Sequence, residues 1–347
     1  MKAARIIVCI LLAVLLVVGC SKKSILSSST EIELVDYSGR TVKLPKPAER
    51  IVVMADNSLV IVKQLKAIDR VVALDSKTKG YLPISILNST DPDLNDLPDV
   101  GKTKSPNYEL IISLSPDLIL FKGDKDSADM LQEKTNVPVA SILSTGDYDF
   151  GIYEVIGKLL GKGDEAETLI KMFTEQKSAL EQKTSVIPEA EKKSAYIVTQ
   201  NSRDYLFKTL KGSISLDLAN IRNVAADANK VDEWGFADIS KEEFLNYNPD
   251  LIFIDKPTSE TGIHKETVMS DSTFIFSKAI KQGALFYTHS FSLPKDYAFV
   301  IAEAYYYAFI AYPGRIAKEF YMDAIDTIFD IAYGIKGYYE DWEKTLL

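Results

Sequence analysis

The sequence has little cysteine and little histidine, two of each in 347 residues. Cys9 lies inside an apolar N-terminal run and Cys20 closes it. No pair is therefore left for a disulfide framework, and no cysteine-based metal site can be built. His264 and His289 are too few for a multi-histidine zinc centre. No Gly-x-Ser-x-Gly elbow occurs, so an α/β-hydrolase nucleophile is missing. The stretch Gly157 to Gly163 resembles a phosphate loop but has three residues between Gly157 and Gly161, where that loop needs four. Gly163 stands where a magnesium-holding hydroxyl belongs. It reads instead as a helix end and turn. Positive charge is also in deficit, 40 Lys and Arg against 49 Asp and Glu, which argues against a nucleic-acid partner.

What is present begins at the N-terminus. Lys2 and Arg5 precede the apolar run Ile6 to Val18, which is too short to span a bilayer and has the length of a secretory signal core. The run ends in Val17, Val18, Gly19 and Cys20, the pattern of a bacterial lipobox. Cleavage there would leave Cys20 to carry acyl chains, whose methylenes each contribute about 0.8 kcal/mol of membrane affinity. The Ser-rich residues that follow read as a tether. Removing residues 1–19 leaves 38 cationic and 49 acidic residues, a net charge of −11. Past residue 30 about 317 residues remain, enough for two domains.

Compact apolar runs then alternate with helical patterns. Ile32 to Tyr37 and Arg40 to Leu44 around Gly39 read as a hairpin. Runs at 50–54, 71–74, 118–121 and 139–142, then at 195–198, 251–254 and 284–287, read as strands buried on both faces of largely parallel sheets. Helices are expected at 58–65 and 108–114. Between the two sets of strands, Ala166, Leu169, Ile170, Phe173, Lys177 and Leu180 recur at three- and four-residue steps. That spacing predicts one helix to about Thr184, a stiff spine between two lobes.

An internal repeat links the lobes. Residues 109–121 and 242–254 align at a constant offset of 133, with identical pairs Glu109/Glu242, Pro116/Pro249, Asp117/Asp250, Leu118/Leu251 and Ile119/Ile252. Each unit is a short amphipathic helix, a Pro-Asp stop and a buried strand. Asn107 is expected to cap the first helix, and Ser240 with Glu243 forms a capping-box pattern at the second. One glutamate at the head of each helix could favour the positive helix end, or could clamp two basic patches on a partner. A ligand would sit between the lobes, beyond the carboxyl ends of the strands.

Taken in order, several segments carry a family resemblance: 50–53, 99–101, 107–109, 115–119, 157–161 with 165–166, 234–235, 239–242 and 248–252. The chain resembles the substrate-binding lipoproteins of ABC importers for iron-siderophores, haem and cobalamin, the group with a rigid helical linker. The resemblance implies an α/β fold of two Rossmann-like lobes joined by a long spine helix, the class III periplasmic-binding-protein fold. The organisation expected is a signal peptide (1–19), a lipidated Cys20 with its tether (20–30), an N-terminal lobe (31–150), a linking helical segment (151–189) and a C-terminal lobe (190–347). It further implies a monomer without enzymatic activity and without an intrinsic cofactor, lipid-anchored outside the cell membrane. Such a protein captures a ferric chelate for an ABC permease and its ATPase, with haem or a corrinoid as the alternative ligand and an exported enzyme on a bilobed fold as a rival reading. Glu109 and Glu242 match the positions that dock on the permease.

Strand ends nominate the ligand contacts. In the first lobe these are Asn57, Lys77, Tyr81, Tyr108 and Lys122, with Lys79 and Lys102 nearby. In the second they are Arg203, Tyr205, Trp234, Tyr287 and His289, with Phe236 and Lys256 nearby. Aromatic walls with scattered cations suit an anionic chelate. The many C-terminal tyrosines are expected to pack two terminal helices separated by Pro313 and Gly314, with a haem-ligating tyrosine among them as the other possibility.

Overall fold

The computed structural model describes residues 31–142, 150–199, 206–232, 235–256, 262–289 and 296–346. Cys20 and the leader therefore lie outside the described residues, as do Arg203, Tyr205 and Trp234.

Alternation along the strands sorts their side chains into separate cores. In strand Ile51–Met54, Ile51 and Val53 join one cluster, while Val52 and Met54 join another. Strand Leu118–Phe121 divides in the same way. In the second sheet Ala195, Ile197, Leu251 and Phe253 belong to the same large cluster as Ile51 and Leu118, while Tyr196, Val198, Ile252 and Ile254 form a core of their own. The strands are thus buried on both faces, as their unbroken apolar runs predict. The inner faces of both sheets share one continuous core.

Each sheet has four parallel strands. Across the first the order is Val71–Leu74, Ile51–Met54, Leu118–Phe121, Val139–Ser141. Across the second it is Arg222–Asn223, Ser194–Val198, Leu251–Asp255, Leu285–Thr288. Numbered along the chain, both read second, first, third, fourth. The connections diverge between the first and third strands, so a crevice opens there at the carboxyl ends. The predicted hairpin forms from Ile32–Val35 and Thr41–Leu44, antiparallel, with Gly39 at φ +80° in the turn. Arg40 fastens it to the first lobe. Its guanidinium donates to Asp129 at 2.6 Å, to the Val139 carbonyl at 2.7 Å and to Gln132 at 2.9 Å.

The repeat has a clear structural role. The Asp117 carboxylate accepts from the backbone N–H groups of Glu49 and Arg50, and the Asp117 N–H donates to the Arg50 carbonyl. Asp250 does the same at Ser194, accepting from its N–H and hydroxyl and donating to its carbonyl. Each aspartate ties the start of a third strand to the start of a first strand. Ser115 and Asn248, one residue before each proline, both adopt positive φ.

Helix Gly151–Leu160 stops at Gly161, φ +63°, and the spine helix Gly163–Thr184 follows. At about 1.5 Å per residue the spine reaches about 33 Å. The predicted stripe needs one correction. Met172 and Thr184 are buried, whereas Ile170 and Lys177 are only half-buried. The spine is covered from two sides, by Gly151–Leu160 and by the C-terminal helices, so its buried face is rotated from a single-sided stripe. A Cβ at Gly157 would lie 2.8 Å from the Ala166 Cβ, so the two helices touch there.

The terminal helices run Tyr297–Ala311 and Lys318–Tyr333, and a third, Tyr339–Leu346, was not anticipated. Three consecutive tyrosines cannot share one helix face, yet Tyr305, Tyr306 and Tyr307 are all buried, because that helix is enclosed on every side. Tyr305 donates to Gln176 of the spine at 2.9 Å. The ring of Tyr307 lies 4.1 Å from that of Phe253, and the ring of Tyr306 lies 6.1 Å from that of Tyr321.

The lobes meet through a buried polar knot. Gln64, beneath the first sheet, donates to Asp296 at 3.0 Å and accepts from the Tyr153 hydroxyl at 2.5 Å. The Tyr333 hydroxyl also donates to Asp296. Phe150, Tyr153, Phe173 and Tyr297 pack their rings around this knot. Burial raises the Asp296 pKa, against the hydrogen bonds from Tyr333, Ala298 and Gln64.

Candidate ligand crevice and docking helices

In the second sheet, Tyr287 is the penultimate residue of strand Leu285–Thr288 and is buried. Its hydroxyl accepts from the Lys265 N–H at 3.1 Å. The Lys265 ammonium stands 4.4 Å from the centre of the Tyr287 ring, and the Lys256 ammonium stands 5.9 Å from the same centre. Lys256 follows strand Leu251–Asp255 directly, with its N–H bonded to the Thr288 carbonyl at 2.9 Å. Two half-buried cations thus converge on one buried ring at the carboxyl ends of the third and fourth strands. Burial, with the neighbouring Lys265, lowers the Lys256 pKa, and burial lowers that of Lys265. No carboxylate among the described residues is within ion-pair distance of either. An anion bound by the two ammoniums would relieve both charges, while the ring face of Tyr287 holds the cations in place.

Lys256 followed from the strand-end rule, but Lys265 did not. It lies at the head of helix Lys265–Ser270, well past the strand. No periodicity marks it, and only the fold brings it over Tyr287.

His289 sits elsewhere than expected. Its ring is 3.9 Å from that of Trp342, its Nε2 is 2.7 Å from the Thr345 hydroxyl, and its side chain is 13% exposed. Burial, with the Lys256 ammonium nearby, pushes its pKa down to about 3. The imidazole is neutral and is held beneath the last helix. The missed helix Tyr339–Leu346 explains why it read as an open strand-end residue.

Beneath it, Glu303 is buried. It accepts from the His289 N–H at 2.8 Å and from the Thr288 hydroxyl, which also contacts the Tyr307 hydroxyl at 2.7 Å. Burial lifts the Glu303 carboxyl to about 7.

In the first sheet, Asp75 caps helix Ser76–Tyr81 through the Thr78 N–H. This helix sets the Lys77 ammonium 5.6 Å from the centre of the Tyr81 ring. Asn57 is half-buried at the head of helix Asp56–Gln64, and Lys122 is exposed just after strand Leu118–Phe121. Lys79 is turned away and donates to the Leu97 carbonyl at 2.5 Å. Tyr108 packs against the first lobe's outer core.

The two repeat helices are Tyr108–Ser113 and Lys241–Tyr247. Asn107 caps the first through the Leu110 N–H, and Ser240 with Glu243 completes a capping box on the second. Each helix precedes a third strand and runs antiparallel to it, so its head lies at the crevice end of the sheet. Glu109 and Glu242 are both exposed.

Two matched parallel sheets and a long spine helix define a two-lobe α/β protein, in which two cations gather on one aromatic ring of the second lobe. The chain belongs to the periplasmic binding protein family, whose model matches residues 51–291. It is the solute-binding component of an ABC importer, works outside the cytoplasm with a permease and an ATPase, and is not an enzyme. It is 22% identical to the molybdate-binding protein MolA of Haemophilus influenzae, over 95% of this chain and 96% of that one. It is 24% identical to the Fe(3+)-citrate-binding protein YfmC of Bacillus subtilis, over 82% and 89%. The TroA-like periplasmic binding protein FepB of Veillonella parvula superposes with a TM-score of 0.72 at 22% identity, covering 88% of this chain and 97% of that one.

Proposed function

We propose that this protein captures a small anionic metal complex, foremost a ferric chelate, and hands it to the membrane subunits of an importer. The observation that carries the reading is the convergence of Lys256 and Lys265 on the buried ring of Tyr287. Lys77, Tyr81, Asn57 and Lys122 form the facing wall, and Arg203, Tyr205 and Trp234, outside the described residues, stay candidate contacts on the sequence reading alone. His289 acts as a brace beneath that wall. The Fe(3+)-citrate relative supports the ferric reading. A second reading, a bare oxyanion, is favoured by the molybdate-binding relative, whose match spans 95% of this chain.

Cys20 carries the lipid that holds the protein at the outer face of the membrane, and the protein acts as a monomer. Glu109 and Glu242 meet cationic side chains of the permease, one from each lobe, through charge-assisted hydrogen bonds. The lobes follow the divisions 31–150 and 190–347. Calorimetric titration with ferric citrate, molybdate and haemin tests the ligand class. Saturable binding of an anionic iron complex supports the first reading, molybdate alone supports the second, and binding of haemin alone defeats both.

A further inference from the structure

Most matched positions of the repeat have a role in the fold. Asn107 and Ser240 cap, Ile111 and Phe244 fill cores, and Asp117 and Asp250 tie strands. Two matched pairs have none. Glu109 and Glu242 are one, and Ile112 and Leu245 are the other. Ile112 is 49% exposed and Leu245 is 43% exposed. A single exposed apolar side chain needs no explanation. Here the same exposed apolar position recurs in both lobes, although its neighbours differ in character: Leu110 against Glu243, and Leu114 against Tyr247. In each helix it lies three residues after the glutamate, which places the two side chains next to each other on one face, with Cβ atoms about 5–6 Å apart.

We infer that each lobe docks through a couplet, a carboxylate and an apolar side chain side by side, and that the importer's membrane subunits receive it with a cation bordering an apolar recess. The inference rests on the docking role proposed for Glu109 and Glu242 and extends it. Its physical basis is screening. An ion pair left in water contributes little to binding. An apolar neighbour that seats against the partner excludes water from the pair and strengthens it. The same arrangement in both lobes lets both ends of the molecule seat together.

The test uses the full chain and its permease–ATPase complex in lipid nanodiscs. Ile112→Ser, Leu245→Ser and the double variant are compared with Glu109→Gln and Glu242→Gln, and thermal unfolding of each variant confirms folding. The double serine variant is expected to lose at least tenfold in affinity for the complex, and its residual binding should become more sensitive to salt. If the serine variants bind as the parent does while the glutamine variants weaken, the apolar half is wrong and the glutamate docking stands. If neither set changes binding, both fall.

Discussion

Replacing Glu303 with Gln is expected to stabilise the protein at alkaline pH and leave it nearly unchanged in acid. Glu303 sits below the strand ends, where Thr288 and the His289 N–H donate to it and the Tyr307 hydroxyl lies near. Burial raises its carboxyl from 4.5 to about 7. Between those values the folded state holds a proton that the unfolded state has lost. Stability therefore declines as pH rises through this window and stays lowered above it. At 1.36 kcal/mol per pH unit, the gap amounts to about 3 kcal/mol. Gln keeps an oxygen to accept from Thr288 and His289, and its amide can turn to the His289 Nδ1, 4.0 Å from the present carboxylate oxygen. Urea unfolding from pH 4 to pH 9 reads the effect. The parent should lose stability between pH 4.5 and 7, and Glu303→Gln should flatten that slope and gain about 3 kcal/mol at pH 8. A parent with no slope there, or a variant less stable at every pH, would refute the reasoning.

Other perturbations test the frame. Asp36 is buried, yet hydrogen bonds from Ser141, Arg40 and Ser38 outweigh that burial and lower its pKa. Its contribution should hold at neutral pH and vanish as pH falls below the usual carboxylate range, and Asp36→Ala, which leaves the N–H groups of Ser38, Arg40 and Ser141 without their acceptor while Arg40 keeps Asp129, should cost about 1–3 kcal/mol by denaturant titration. Gly157→Ala improves helix propensity by about 1 kcal/mol but drives a methyl against Ala166. A net loss of about 1–3 kcal/mol is expected from overpacking, and a rise in melting temperature would show that the helices can part without cost. Tyr333→Phe removes one donor to the buried Asp296 and should cost about 1.5–3 kcal/mol. Because this knot joins the lobes, hydrogen exchange should speed up in helix Asp56–Gln64 as well as in the terminal helices.

Both sheets were legible because their strands are unbroken apolar runs, and the spine because Gly161 ends the helix before it and its apolar period then runs on to Thr184. The Pro-Asp repeat announced matched lobes, since one turn chemistry serves both Asp117 and Asp250. Other features depend on tertiary contact. The two-residue strand Arg222–Asn223 has too little pattern to read. Helix Tyr339–Leu346 is highly charged and gains its place through Trp342, which is buried and donates to the Tyr321 hydroxyl at 2.6 Å. Missing that helix made His289 look like a crevice residue. Lys265 escaped notice because its position over Tyr287 is set by the fold and not by its neighbours in sequence.

Lys256 and Lys265, above Tyr287, are proposed to hold the anion. The most direct measurement is calorimetric titration of ferric citrate and molybdate into the parent, Lys256→Gln, Lys265→Gln and the double variant, each at low and high salt. The parent is expected to bind at least one of these anions, each single variant to weaken it roughly tenfold, about 1.4 kcal/mol, and the double variant to lose most of the salt dependence. A parent that binds neither anion, or a double variant that binds as tightly as the parent, would contradict that assignment.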